Sequence, residues 1–195
     1  MNNDSREKVQ GIIDTLKEEF KITRMGNLSL GNFVLIKNKI DFKSKKCWKV
    51  VNTNSEFKLC WITYWDAFQT VDRTGGHMSK DSSDYFVGYI KHNNKIGHTL
   101  FKPETFEDKI NELFNPVEID FKQYKKFSRR YYVLSDNETK LRNWIGDEFV
   151  ELLESLKGFS IEFYKDTCLF RFSKSINLSE ARDLCKVGLR LSSIL

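Results

Sequence analysis

Proline is almost missing, at 2 residues in 195. A chain with so little proline and 14% aromatic residues is not a linker or a disordered tail, because it carries enough apolar surface to offset the entropy of ordering. Histidine is nearly as scarce, at 3 residues, so histidine chemistry is confined to His77, His92 and His98. No apolar run approaches the roughly 20 residues needed to cross a bilayer. The opening Met1-Asn2-Asn3-Asp4-Ser5-Arg6-Glu7 is polar and holds no apolar signal-peptide core, so a cytoplasmic location is expected. Neither the P-loop pattern nor G-x-G-x-x-G occurs, and there is no G-x-S-x-G nucleophile elbow. Phosphate cradles and hydrolase elbows of known type are thereby excluded.

The 4 cysteines, Cys47, Cys60, Cys168 and Cys185, form no C-x-x-C pair and lie among apolar or aromatic neighbours. They are expected to be reduced, buried thiols that pack as small hydrophobes. Cys47 stands among Lys45, Lys46 and Lys49, whose field favours a thiolate. Set against that, no histidine is in view as its partner, and a strand cysteine needs no reactivity. His92 and His98 flank a predicted turn across which their rings would meet. His77 with Asp72, Asp81 and Asp84 makes a second grouping. Neither spacing matches a known ligand framework, and solvent-facing loop residues account for both. No metal and no cofactor are expected.

What is abundant is phenylalanine, at 16 residues. The length fits one large domain or two small ones sharing a core. Asp4 and Glu7 make a capping box for a helix over 5–21, with Val9, Ile12, Ile13, Leu16 and Phe20 on one face. Strands are expected at Phe33–Ile36, Trp48–Val51, Phe57–Trp65 and Tyr85–Lys91. The third is apolar on both alternating sets and should lie centrally in a sheet. The stretch Asp72–Asp84 reads as an exposed, mobile loop. Pro103 starts a predicted helix carrying Phe106, Ile110, Leu113 and Phe114, which Asn115-Pro116 ends.

The last third has a start or stop signal at nearly every junction. A strand at Arg130–Ser135 leads to a capping box, Ser135 with Glu138, and a long helix. Gly146 kinks or splits that helix and Gly158 stops it. Phe159, Ile161 and Phe163, then Cys168, Phe170 and Phe172, alternate as a hairpin with one buried face. Asn177 and Glu180 cap a final helix. The pattern predicts an α+β fold: a mostly antiparallel sheet packed by three or four helices, with a C-terminal β-α-β-β-α unit. Residues 1–195 are expected to make a single domain, the halves 22–98 and 99–195 sharing one core.

Two stretches are basic. One holds Lys37, Lys39, Lys43, Lys45, Lys46 and Lys49. The other interleaves Lys122, Lys125, Lys126, Arg129 and Arg130 with Phe121, Tyr124, Phe127, Tyr131 and Tyr132. Cations that neutralise phosphates beside rings that stack on bases suit single-stranded nucleic acid or an anionic surface. A soluble sheet edge, rings inward and cations outward, has the same pattern. The net charge of +5 is mild for a protein that grips phosphates.

Phe101-Lys102-Pro103-Glu104, Ile119-Asp120-Phe121 and Phe127-Ser128-Arg129-Arg130-Tyr131-Tyr132-Val133, in that order before a long helix and a hairpin, resemble a large family of bacterial domains of unknown function. The resemblance covers roughly residues 100–195, with a looser echo at Phe57–Trp65. Members often pair this region with transmembrane helices. The resemblance implies a bacterial, intracellular-facing α+β domain, soluble or membrane-tethered, and carries over no functional residue.

These observations lean away from an enzyme, toward a non-catalytic protein-interaction module of regulatory or immunity type. Its partner is expected to be another protein, docked on surface aromatic residues such as Trp48, Trp61, Trp65 and Trp144. The alternatives are a nucleic-acid or anionic-surface binder using 37–49 and 121–132, and a hydrolase of unrecognised type. The candidate binding residues are Lys45, Lys46, Lys49, Tyr124, Lys125, Lys126, Arg129, Arg130 and Tyr131.

Overall fold

The computed structural model describes the backbone of residues 3–37, 41–72, 75–103 and 117–195, and the side chains within those spans except at 3, 37, 41–45, 64–72, 75–82 and 117. In chain order the elements are α1 (Asn3–Leu16), β1 (Lys21–Met25), α2 (Val34–Lys37), β2 (Asp41–Val51), β3 (Glu56–Asp72) and β4 (Gly75–Lys91). There follow β5 (Thr99–Pro103), β6 (Val117–Glu118), α3 (Lys125–Ser128), β7 (Tyr131–Ser135), α4 (Glu138–Trp144) and α5 (Asp147–Ser155). The chain closes with β8 (Phe159–Tyr164), β9 (Thr167–Phe172) and α6 (Leu178–Ile194). The expected helix after Pro103 falls on 104–116, outside the described residues.

All the described strands join one nine-stranded sheet, in the order β1-β2-β3-β4-β9-β8-β5-β7-β6, and every neighbouring pair is antiparallel. With the helices this is the expected α+β architecture. The C-terminal unit is present as β7-α4-α5-β8-β9-α6, the predicted long helix being two. Gly146, extended at φ −122°, separates α4 from α5 and stands at the N-cap of the second.

Strand β3 lies between β2 and β4, and its residues Phe57 and 59–63 are buried on both faces, as their largely apolar run requires. Phe57, Leu59 and Trp61 face the helices. There α1 contributes Val9, Ile13 and Leu16, α5 contributes Phe149 and Leu153, and α6 contributes Leu184 and Leu191, all in one buried cluster. That cluster also holds Phe101, Phe159, Phe163 and Phe170 from the second half of the chain. Cys60 and Ile62 point to the opposite face. Leu30, Phe33 and Ile36 cover them, from the segment that links β1 to β2.

Four expectations are corrected. Phe33–Ile36 is not a strand, since Val34–Lys37 form one helical turn whose first amides, Val34 N and Leu35 N, each donate to a Glu162 carboxylate oxygen at 2.8 Å. Gly75–Asp84 is not a loop but the first half of β4. Its backbone pairs with β3 as far as Asp72↔Gly75, which satisfies groups a loop would leave to water. The cap of α4 is Asn137, whose side chain accepts from Lys140 N at 3.0 Å. Ser135 is still in β7, bonded to Thr99 Oγ1 at 2.8 Å. Finally, the β8–β9 hairpin is buried on both faces, because the sheet continues on either side of it and the β1–β2 segment covers its second face. Ser160, Glu162 and Arg171 are 7%, 0% and 6% exposed.

Candidate functional site

An open groove of about 830 Å³ runs between the end of α5 and the first turns of α6. Local chemistry explains its shape. α5 is capped by Leu156 in extended backbone, and two residues on Gly158, at φ +65°, turns the chain into β8. Ser173 N donates to Gly158 O at 2.8 Å, holding the ends of the β8–β9 hairpin together. Asn177 Oδ1 accepts from Glu180 N at 2.9 Å and starts α6.

Leu152, Leu156, Phe172 and Val187 supply the apolar part of the groove. Lys157, Lys174, Lys186 and Arg190 also line it, with Glu180 and Asp183, so four cations stand against two acids. All four cations are exposed. Burial holds the Glu180 carboxyl above its ordinary range, and Lys174 opposes that shift. The groove thus combines an apolar floor with a polar, mainly positive rim, the anatomy of a binding cleft.

The basic-aromatic segment is built differently from what stacking on bases needs. Phe121, Phe127 and Tyr131 are core rings, and Phe127 stacks on Tyr131 at 5.2 Å between centroids. The Tyr131 hydroxyl donates to Leu153 O at 3.0 Å, and burial pushes its pKa up. Tyr131 is therefore corrected from a contact residue to a core residue. Arg130 is half-buried, and its Nη1 donates to Glu154 O and Nη2 to Leu156 O, the latter at 3.2 Å, which ties down the carbonyls at the end of α5. Tyr124 donates to Asp147 Oδ1 at 2.6 Å, and that bond raises its phenol pKa. Lys126 pairs with Glu154 at 2.9 Å, and Lys49 with Glu56 at 2.5 Å. Lys125 and Arg129 are exposed and Lys46 is half-buried. The side chain of Lys45 lies outside the described residues.

Among the described residues, His92 and His98 sit in separate surroundings. The His92 ring is buried edge-on against Phe163, and its Nδ1 accepts from Asn94 N at 3.0 Å. His98 Nε2 lies 2.6 Å from Glu162 Oε1. Asp84 Oδ1 accepts from Trp61 Nε1 at 2.9 Å and Thr63 Oγ1 at 2.6 Å. The side chains of Asp72, His77 and Asp81 lie outside the described residues. Among the described residues no group of three or more His, Cys, Asp and Glu is placed to hold a metal ion. All four cysteines are buried and none forms a disulfide. Trp48 and Trp61 are also buried, and Trp144 packs on Phe149 and Phe163, so these three do not form the expected aromatic docking patch. Among the described residues, no helix is long and apolar enough to cross a membrane.

No protein-family model, curated protein or solved structure matches the chain. The functional reading therefore stands on geometry. Sequence reasoning missed the groove because its cations are scattered over 157–190 and gather only when the hairpin brings α5 and α6 together. Glu162 escaped it as well, because an alternating polar residue on a hairpin reads as solvent-facing.

Proposed function

We propose that the chain is a non-catalytic protein-interaction module, of bacterial regulatory or immunity type, that holds an extended segment of a partner protein in the α5–α6 groove. The observation that carries this reading is the pairing of an apolar floor with four rim cations against two acids. That charge balance fits a segment in which Asp or Glu alternates with Leu, Ile or Phe. The apolar side chains would fill the floor and the carboxylates would face Lys157, Lys174, Lys186 and Arg190. The groove's volume is within the roughly 300–1,000 Å³ range of binding clefts. A surface of this kind needs no reacting side chain. The nucleic-acid and anionic-surface alternative is less favoured, because Phe121, Phe127 and Tyr131 turn inward and leave its cations with the half-buried Tyr124 and Tyr132.

Selection of a random peptide library on the intact chain tests this. Acidic-apolar sequences should be enriched, and the double change Lys174→Glu, Lys186→Glu should weaken the best of them about tenfold or more, equivalent to about 1.4 kcal/mol. Enrichment of nothing, or of peptides indifferent to that double change, would overturn the proposal.

A further inference from the structure

Cys47 and Cys60 stand directly opposite each other in the β2–β3 ladder. Opposed residues of an antiparallel pair have Cα atoms about 4.5–5.5 Å apart, inside the roughly 4.4–6.8 Å span a disulfide requires. The turn between the strands fixes this register. Asn52 N donates to Ser55 O at 2.9 Å, and Asn52 Oδ1 accepts from Ser55 N at 2.8 Å, so pairing starts at Val51↔Glu56 and reaches Cys47↔Cys60 without a slip. Farther along, between Ser44 and Lys46, the register shifts. The cysteine pair therefore lies on the part of the ladder that the turn controls. Both side chains leave the sheet on the face away from the long helices, and the two Sγ atoms are 2.7 Å apart. A disulfide bond is about 2.05 Å long, so closure asks for a small movement of two side chains and none of the strands.

We propose that Cys47 and Cys60 are a modification site: a cross-strand dithiol that a small hydroperoxide converts to a disulfide. Cys47 Sγ, as thiolate, attacks one peroxide oxygen. The O–O bond breaks, leaving a sulfenic acid on Cys47 and a hydroxide that takes up a proton as water. Cys60 Sγ then attacks Cys47 Sγ and loses its proton. The S–O bond breaks, the S–S bond forms, and the hydroxide leaves with that proton as a second water. Two thiols are oxidised by two electrons and hydrogen peroxide is reduced to two waters. The attacking role is given to Cys47 because the hydrogen bond between the two thiols, and then burial, hold the Cys60 thiol above the ordinary range. The size of the oxidant follows from the cover. Leu30, Phe33 and Ile36 enclose the pair in one buried cluster, which admits a peroxide more readily than a bulky disulfide. Cys168 and Cys185 belong to the cluster on the other side of the sheet, and they serve as internal controls.

The test is peptide mapping, without reduction, of the full chain after exposure to hydrogen peroxide. The expected result is a peptide pair linked through Cys47 and Cys60, a whole-chain mass lower by two hydrogen atoms, reversal by dithiothreitol, and unmodified Cys168 and Cys185. Four alkylatable thiols after exposure, a linkage involving Cys168 or Cys185, or over-oxidised Cys47 with no linkage would each overturn the proposal. In Cys60→Ser the intermediate should persist on Cys47 and be trapped by dimedone. If that variant does not fold, the linkage map of the unaltered chain decides.

Discussion

The Glu162 carboxylate, 0% exposed on β8, meets His98 Nε2 at 2.6 Å, while its two oxygens also accept the Val34 and Leu35 amides at 2.8 Å each. One side chain thus fastens the segment that covers the helix-free face of the sheet. Removing it leaves the buried Val34 amide, and the part-buried Leu35 amide and His98 ring, without that acceptor. Glu162→Ala should cost about 3 kcal/mol in urea unfolding, the range for stripping one partner from a buried charged group. Glu162→Gln keeps the volume but offers a single acceptor and turns an N–H₂ toward a donor, so a loss of about 1–2 kcal/mol is expected. A Glu162→Ala loss below about 1 kcal/mol would remove the carboxylate from this fastening role.

Gly88 on β4 faces Phe170 on β9 so closely that an added Cβ would sit 2.1 Å from the ring atoms Cε2 and Cζ. Phe170 has little room to give way, since it is 0% exposed and packs against Phe57 and Phe159 at 5.8 and 5.9 Å between centroids. Gly88→Ala should destabilise by about 1–3 kcal/mol, the cost of overpacking a filled core. A second change, Phe170→Leu, should restore part of the loss in the Gly88→Ala background. Additive losses in the double variant would show that the two residues do not compete for the same space.

Local signals could be read from the sequence and distant ones could not. Asn177 starts a helix because it acts on backbone within a few residues of itself, whereas α5 ends at its Leu156 cap and Gly158 only turns the chain into β8 two residues later. The run Phe57–Trp65 announced its central place because it shows no polar alternation, and its residues 59–63 are buried on both faces. Phe33–Ile36 was misread because four apolar residues in a row carry no period, and what helps make 34–37 helical is a carboxylate 128 residues away in sequence. The Asp72–Asp84 stretch is polar and rich in turn residues, yet it forms a ladder because β3 continues beside it. Asn137 took the capping role from Ser135 because Ser135 stays in the β7 ladder and α4 starts only at Glu138.

His92 predicts a pH dependence. Burial holds its imidazole pKa below the ordinary 6.5, while the nearby Asp166 charge and hydrogen bonds oppose that shift. Below about 6.5 the unfolded chain takes up a proton that the folded chain binds more weakly, so this residue's contribution to stability falls as the pH is lowered and is complete above that value. The urea midpoint should therefore drop between about pH 7.5 and about pH 5.5, and the drop should be smaller in His92→Gln, whose side chain does not titrate. Equal drops in the two proteins would assign the acid sensitivity to other groups.

Arg130 predicts a link between stability and the groove. Its guanidinium donates to Glu154 O and Leu156 O, the carbonyls at the C-terminal end of α5, where a cation also opposes the negative end of the helix. Leu156 and its neighbour Lys157 line the groove. Arg130→Ala should lower stability by about 1–2 kcal/mol through the lost bonds and weaken a groove-bound peptide by letting the end of α5 fray. Arg130→Lys keeps the charge but cannot reach two carbonyls with a planar fork, so it should recover less than half of each loss. Lys125→Ala and Arg129→Ala alter exposed cations nearby and should leave stability unchanged within about 0.5 kcal/mol. If Arg130→Lys behaves like the unaltered chain in both assays, charge alone is what α5 requires at its end, and the fork geometry has no part in shaping the groove.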